Sequence, residues 1–213
     1  MKRTDGRKLV MSRDGIEMSM EIFKTNDQSL NPYMKKIIND YETIFKIVEG
    51  HRAQGHRIVA TIGSWDGVHE GQFRYLLKAS QLGDFLVVGV DSDRSIKLYK
   101  TADWRPVRNQ ERRSELVAYP EYVDVVTLVD DVDDAGIWQL GLLKLIRPDT
   151  YVAVTDSYPK GQLEEIAKIC GELVVLEPQS IGISSTKEVE EVLLKRLDKG
   201  YRLMVEDIKA GKI

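Results

Sequence analysis

The sequence predicts an α/β protein, a doubly wound parallel sheet with helices on both faces, preceded by an N-terminal helical extension. Three observations lead there. Short apolar runs rich in Val and Ile recur at 57–62, 85–90, 123–129, 151–154 and 173–176. Segments with helical spacing lie between them, and such repeated alternation calls for parallel strands joined by crossover helices. At the first strand-to-helix junction, Thr61-Ile62-Gly63-Ser64-Trp65-Asp66-Gly67-Val68-His69-Glu70-Gly71-Gln72, glycines stand at 63, 67 and 71. Ligands of such sheets sit at the carboxyl ends of the strands, near a switch in strand order.

Taken in order, residues 1 to about 33 are weakly periodic, with turn signals at Asp5-Gly6, Asp14-Gly15 and Asn31-Pro32. From 34 to 49, Ile37, Ile38, Tyr41, Ile44, Phe45 and Val48 share a helical face, which predicts an amphipathic helix that covers the sheet or forms a dimer contact. Residues 1–55 thus form an extension. The domain proper spans 56–198. After the strand at 57–62, Phe73, Leu76, Leu77 and Ser80 mark a helix over 71–82. Further helices are expected over 109–119, 137–146 and 161–170, the last with Leu163, Ile166, Ala167 and Cys170 on one face. A final helix starts near Ser185, whose spacing to Glu188 makes a capping box, and it buries Val189, Val192, Leu193 and Leu197. Residues 199–213 are read as a tail.

Composition narrows the function classes. A chain of 213 residues, 42% hydrophobic, is long enough for one sizeable core. Its net charge of −3 offers no global basic field for nucleic acid. A single cysteine, Cys170, excludes an intrachain disulfide. No apolar run reaches the ~18 residues of a membrane span. The opening Met1-Lys2-Arg3-Thr4-Asp5-Gly6 lacks the apolar stretch of a secretory signal. A cytoplasmic protein with neither nucleic-acid nor membrane partners is expected.

Three constellations carry chemistry. In the first junction, a helix beginning near Gly71 aims free N–H groups and a positive dipole end at any phosphate above the turn. There His69 can donate a hydrogen bond to developing phosphate charge. In the second, Lys97, Lys100, Arg105 and Arg113 follow the strand ending at Val90, cations of the kind needed to bring two phosphorylated substrates together. In the third, Ile181-Gly182-Ile183-Ser184-Ser185-Thr186-Lys187 places hydroxyls and N–H groups at the start of the last helix, a second anion site. The acidic run Asp130-Asp131-Val132-Asp133-Asp134 reads as a solvated face, not a metal site.

The first junction resembles the signature of the cytidylyltransferase-like nucleotidyltransferases, a strand, then G-x-F-D-x-x-H-x-G-H, then a helix. Here Trp65 replaces the Phe and Gln72 the second His. The spacing of Lys97, Lys100, Arg105 and Arg113 is similar to that of the sugar-phosphate branch, which includes heptose-phosphate and glycerol-phosphate enzymes. Ile181 to Lys187 resembles the G-I-S-S/T-T-K motif. Thr155-Asp156-Ser157-Tyr158 stands where the family has Gly-Asp and an aromatic.

The resemblance covers about residues 56 to 195 and implies a Rossmann-like fold and transfer of a nucleotidyl group from CTP or ATP to a phosphorylated sugar or polyol, with release of pyrophosphate. It implies that His69 and Gln72 stabilise the transition state. Lys100 and Arg113 would act with them, and Lys97, Arg105 and Arg113 would meet the acceptor phosphate. Nucleotide contacts would come from Ile62, Gly63, Ser64, Trp65, Asp66 and Gly71, from Asp156 near the base, and from Ser185, Thr186 and Lys187 on the leaving pyrophosphate. Asp66 is expected to fix the turn, or the metal through water. Mg²⁺ would arrive with the triphosphate and few protein ligands, and a homodimer is implied. The Asp66-Gly67-Val68-His69 wording also resembles bacterial FAD synthetases. A nucleotide-binding regulatory or assembly module without catalysis is the reading from another class, on the strength of Gln72, Thr155 and Gln179.

Overall fold

Along the first strand of the main sheet, Ile58, Ala60 and Ile62 point to one face and Val59 and Thr61 to the other. This alternation, repeated in the neighbouring strands, builds a core on each side of the sheet. The computed structural model describes residues 10–12, 15–17, 32–100, 104–155, 157–158, 160–179 and 185–210. Strands β1 (Val10–Ser12) and β2 (Gly15–Glu17) pair antiparallel in a small sheet of their own. The main sheet is formed by β3 (Ile58–Gly63), β4 (Phe85–Asp91), β5 (Val125–Val129), β6 (Thr150–Val154) and β7 (Glu172–Leu176), in the order β5-β4-β3-β6-β7, all parallel. The strand order reverses between β3 and β6, which makes the crevice above them the topological switch point.

Helix α1 (Tyr41–Ala53) presses Ile44 and Val48, both fully buried, onto the face built by Ile58, Ala60 and Ile62. α5 (Gly141–Ile146) and α6 (Lys160–Ala167) contribute Leu142, Leu143, Ile146 and Ile166 to that core. The opposite face is covered by α2 (Glu70–Ser80) and α4 (Gln110–Ala118) through Tyr75, Leu76, Ala79, Val117 and Ala118. The short α3 (Asp93–Tyr99) follows β4 directly.

Besides the β1–β2 pair and α3, which the sequence reading did not anticipate, the structure differs from it in the bounds of three helices. The helix expected from residue 34 begins at Tyr41, because Asp40 caps it by accepting from the Thr43 amide (3.0 Å). Ile37 instead bridges Val126 as an edge extension of β5, and the Asn39 side chain accepts from the Leu128 amide at 3.0 Å. The helix expected from 137 begins at Gly141. Asp133 turns the preceding loop by accepting from the Ala135 and Ile137 amides, and Asp131 accepts from the Gly141 amide. The acidic run is thus largely spent on backbone donors, with Asp130 paired to Arg94 at 3.1 Å. Finally, α7 (Ser185–Lys209) runs unbroken through the residues read as a tail, and Val192, Leu193 and Leu197, expected to be buried on it, are instead 55%, 50% and 69% exposed because no described element covers them; the side chain of Val189 lies outside the described residues. Pairs Glu191–Lys195 (3.5 Å) and Asp198–Arg202 (2.9 Å) support its surface, and the single Gly200 does not stop it. Among the described residues no helix is long and apolar enough to cross a membrane.

Candidate active site

The switch-point crevice exists because β3 and β6 stay together for only two register pairs, Val59↔Thr150 and Ala60↔Tyr151, whereas β3 follows β4 along its whole length. Beyond Ala60 tyrosine hydroxyls satisfy carbonyls at the widening gap. Tyr75 donates to Val152 O (2.7 Å) and takes a hydrogen bond from Thr61 (2.7 Å). Tyr158 donates to Ile62 O (2.6 Å) and takes one from Tyr151 (2.8 Å). Burial holds these phenols well above their ordinary pKa, so they act as neutral donors. Satisfying the backbone this way lets the strands part without orphaned carbonyls.

Over the gap lies a cavity of about 920 Å³ whose wall includes Ile62, Gly63, Ser64, Trp65, Gln72 and Lys100. Six of the residues expected from sequence therefore meet in one chamber, near the upper end of the usual range for small-molecule sites. The close approach of backbone and rings depends on glycine. A Cβ on Gly89 would lie 2.5 Å from Ile62 and 2.8 Å from Val129. The Gly89 carbonyl accepts from the Trp65 indole at 2.8 Å. That bond holds Trp65, at φ 50°, in the left-handed region at the foot of the turn.

His69 and Gln72 form the first turn of α2. The His69 side chain is the N-cap, its Nδ1 accepting from the Gly71 amide (3.2 Å), and Gln72 Oε1 accepts from the His69 amide (3.4 Å). The reciprocal arrangement is a capping box with histidine in the hydroxyl position. Since Nδ1 is an acceptor, the neutral ring carries its proton on Nε2, an assignment that follows from the hydrogen bond. His69 is half-buried and does not line the cavity wall; Gln72 does.

Asp66 and the arginines form the brace beneath this turn. Asp66 is 2% exposed; its carboxylate meets Arg105 at 2.6 Å and accepts from the amides of Val107 and Arg108. Burial pushes its pKa up, but the Arg105 hydrogen bond and the two amides outweigh that and hold it below the ordinary value. Arg113 is fully buried. It donates to Ser64 O (2.5 Å) and Arg108 O (3.0 Å) and pairs with Asp93 at 2.7 Å. Neither Arg105 nor Arg113 reaches the cavity wall, and exposed Lys97 on α3 is also outside it. Lys100, at the C-cap of α3, does reach it, with Nζ 5.4 Å from the Tyr99 ring centroid.

Asp156 and the segment 180–184 lie outside the described residues, as do the side chains of Ser185, Thr186 and Lys187, whose backbone forms the first turn of α7. Arg74 on α2 donates to Gln179 O at 3.4 Å, which ties the chain just before that segment to the first motif.

The cavity also contains residues that sequence reading did not single out. Asp91, at the carboxyl end of β4, accepts from the Tyr99 hydroxyl at 2.5 Å. Burial raises its carboxyl to about 6, against the Tyr99 hydrogen bond and the charges of Arg113 and Lys100. Its position at a strand end beside the first junction was a usable signal. Trp138, stacked at 6.3 Å on Tyr158, and Ile137 come from the loop before α5, which the sequence reading placed in the first turn of a helix rather than at a site. Gln162 and Glu165 enter from α6.

A family model described as cytidylyltransferase-like matches residues 60–192. The chain is 31% identical over 162 residues to a bifunctional protein HldE of Trichlorobacter lovleyi, covering 76% of this chain and 32% of that protein. It is 39% identical over 118 residues to an HldE of a Nitratiruptor species, covering 55% and 24% respectively. It thus spans about a third or less of these relatives. A solved lipopolysaccharide core biosynthesis protein from Thermoplasma volcanium is 25% identical, with a TM-score of 0.47, over 57% of this chain and 96% of that one.

Proposed function

Because the chain belongs to the cytidylyltransferase-like family, we propose that its switch-point cavity transfers a nucleotidyl group from ATP or CTP to a phosphorylated sugar or polyol, releasing pyrophosphate. The observation that carries this reading is the chamber shared by Gln72, in the first turn of α2, and Lys100, at the end of α3. One group belongs to a helix N-terminus, which favours anions, and the other is a cation able to draw in a second phosphate.

In this reading the acceptor phosphate oxygen attacks the α-phosphorus as the bond to the pyrophosphate oxygen breaks. A phosphate oxygen needs no base. His69 donates through Nε2–H and Gln72 through its amide to the charge that grows on the α-phosphate. A neutral amide donor contributes about 0.5–1.5 kcal/mol where an imidazolium would contribute about 1.5–3, so Gln72 moderates the rate without removing it. Ser185, Thr186 and Lys187 hold the leaving pyrophosphate, and Asp156 faces the base. Arg105 and Arg113 serve by positioning: they fix the Ser64–Asp66 turn and, with Lys97 also outside the cavity, leave the acceptor phosphate to Lys100.

Mg²⁺ would enter with the triphosphate. Asp66 is held by Arg105 and two amides and does not line the cavity, whose carboxylates are Asp91 and Glu165. That donor set fits an ion held mainly by phosphate and water. Such an ion would neutralise charge between the phosphates. A protein using these substrates belongs in the cytoplasm.

The test is thermal stability with ATP, CTP, GTP or UTP and Mg²⁺, since binding at about 100 times Kd adds about 2.7 kcal/mol. One triphosphate should stabilise the chain, and pyrophosphate release should then appear with aldose or polyol phosphates. Absence of stabilisation by all four would sink the proposal.

A further inference from the structure

Eight of the eighteen large apolar side chains exposed among the described residues lie on α7. Val192 and Leu203 point to the opposite side of the helix, but five of the eight share one face. Leu194, Leu197, Tyr201, Met204 and Ile208 follow one another at steps of three, four, three and four, and each is between 52% and 69% exposed. That spacing is a heptad seam, the pattern by which one helix lies along another. No described element packs substantially on α7. Of the two roles open to α1, Ile44 and Val48 take the covering of the sheet.

We propose that the seam of α7 is covered by α7 of a second copy of this chain. The charge on the helix argues for such a partner. Residues 190–209 carry five basic groups (Lys195, Arg196, Lys199, Arg202 and Lys209) against the five acidic groups Glu190, Glu191, Asp198, Glu206 and Asp207. A neutral helix has no attraction for nucleic acid or for an anionic lipid surface, whose amphipathic helices are strongly basic. Lys195, Lys199, Arg202 and Glu206 fall on the side away from the seam, and of the two acidic residues on its flanks, Asp198 and Asp207, the first is already paired with Arg202 within the helix. The Glu191–Lys195 and Asp198–Arg202 pairs are made within the helix, so the seam can close without burying them.

The area is sufficient. Covering five such side chains removes roughly 100 Å² each from water. Two helices in contact therefore bury about 1,000 Å², the threshold that a biological interface has to reach. Gly200, on the flank of the seam, has nothing within 4 Å of the place a Cβ would occupy, which leaves room for a partner's ring beside it. The pairing would fix two copies through the helix that begins at Ser185, the segment expected to hold pyrophosphate.

The experiment is sedimentation velocity of the full chain over a concentration series, for wild type, Leu197→Glu and the far-face control Lys199→Glu. Wild type and Lys199→Glu should run at twice the chain mass and Leu197→Glu at the chain mass, with unchanged far-ultraviolet circular dichroism. Should Leu197→Glu fail to fold, the double variant Leu197→Ala, Met204→Ala is expected to raise the dimer dissociation constant about tenfold or more. A wild-type monomer at every concentration, or a dimer indifferent to these seam substitutions, overturns the proposal. So does a monomeric chain that floats with phosphatidylcholine–phosphatidylserine vesicles.

Discussion

His69 and Gln72 close a reciprocal cap on α2, Nδ1 of the histidine accepting from the Gly71 amide at 3.2 Å while Oε1 of Gln72 accepts from the His69 amide at 3.4 Å. Both side chains thereby serve the helix through one atom and keep a second, Nε2 in each, as a donor. Structure and proposed chemistry can be separated by substitution.

For His69, alanine removes both the cap and the donor. Loss of an N-cap costs about 1 kcal/mol, and loss of the donor should lower turnover about 10²-fold or more. His69→Asn restores a good cap and supplies no imidazole. Stability close to wild type with turnover as low as alanine is the expected outcome, measured by urea denaturation and pyrophosphate release. Full turnover in either variant would remove His69 from the mechanism.

Gln72→Glu preserves the box, because glutamate is as suitable as glutamine at that position and is favoured by the dipole. It also places a negative charge on the cavity wall. Unliganded stability should be equal or slightly higher, whereas triphosphate affinity should fall about tenfold or more, equivalent to at least about 1.4 kcal/mol. Isothermal titration with the stabilising triphosphate reads the second effect. Equal affinity would mean that the phosphates lie elsewhere.

Arg113→Ala leaves the Ser64 and Arg108 carbonyls and the Asp93 carboxylate without their partner. Breaking so buried an arrangement should cost about 3 kcal/mol, seen as a lower denaturation midpoint without any ligand. A variant with wild-type stability but a raised acceptor KM would reverse the assignment from positioning to acceptor binding.

The Asp91 carboxyl, raised to about 6, makes stability depend on pH in a definite sense. Between about pH 4 and 6 the folded chain keeps a proton that the unfolded chain has released, so this contribution is complete below about pH 4 and is lost as pH rises through about 6. Asp66, with a lowered pKa, acts in the opposite direction. The difference between wild type and Asp91→Asn isolates the first effect. The asparagine variant should gain relative stability steadily up to about pH 7 and then level. A difference independent of pH would contradict the raised value.

What the sequence determined by itself is whatever rests on local periodicity and on one helix turn. Alternating apolar runs placed all five main strands within two residues of their observed bounds, since a buried parallel strand needs little beyond its own side chains to declare itself. The glycine-punctuated junction likewise announced a turn into α2. Tertiary structure alone decided which of the charged residues reach the cavity. Arg113 and Lys100 look alike as isolated cations in the sequence, but Arg113 finds its carbonyl partner at Ser64, forty-nine residues away, and is buried, while Lys100 lies open in the chamber wall. The gap between β3 and β6, the tyrosine hydroxyls that fill it and the placing of Asp91 and Trp138 are also long-range outcomes. Each depends on hydrogen bonds and packing between segments far apart in the chain, and no periodicity within a segment encodes the partner it will meet.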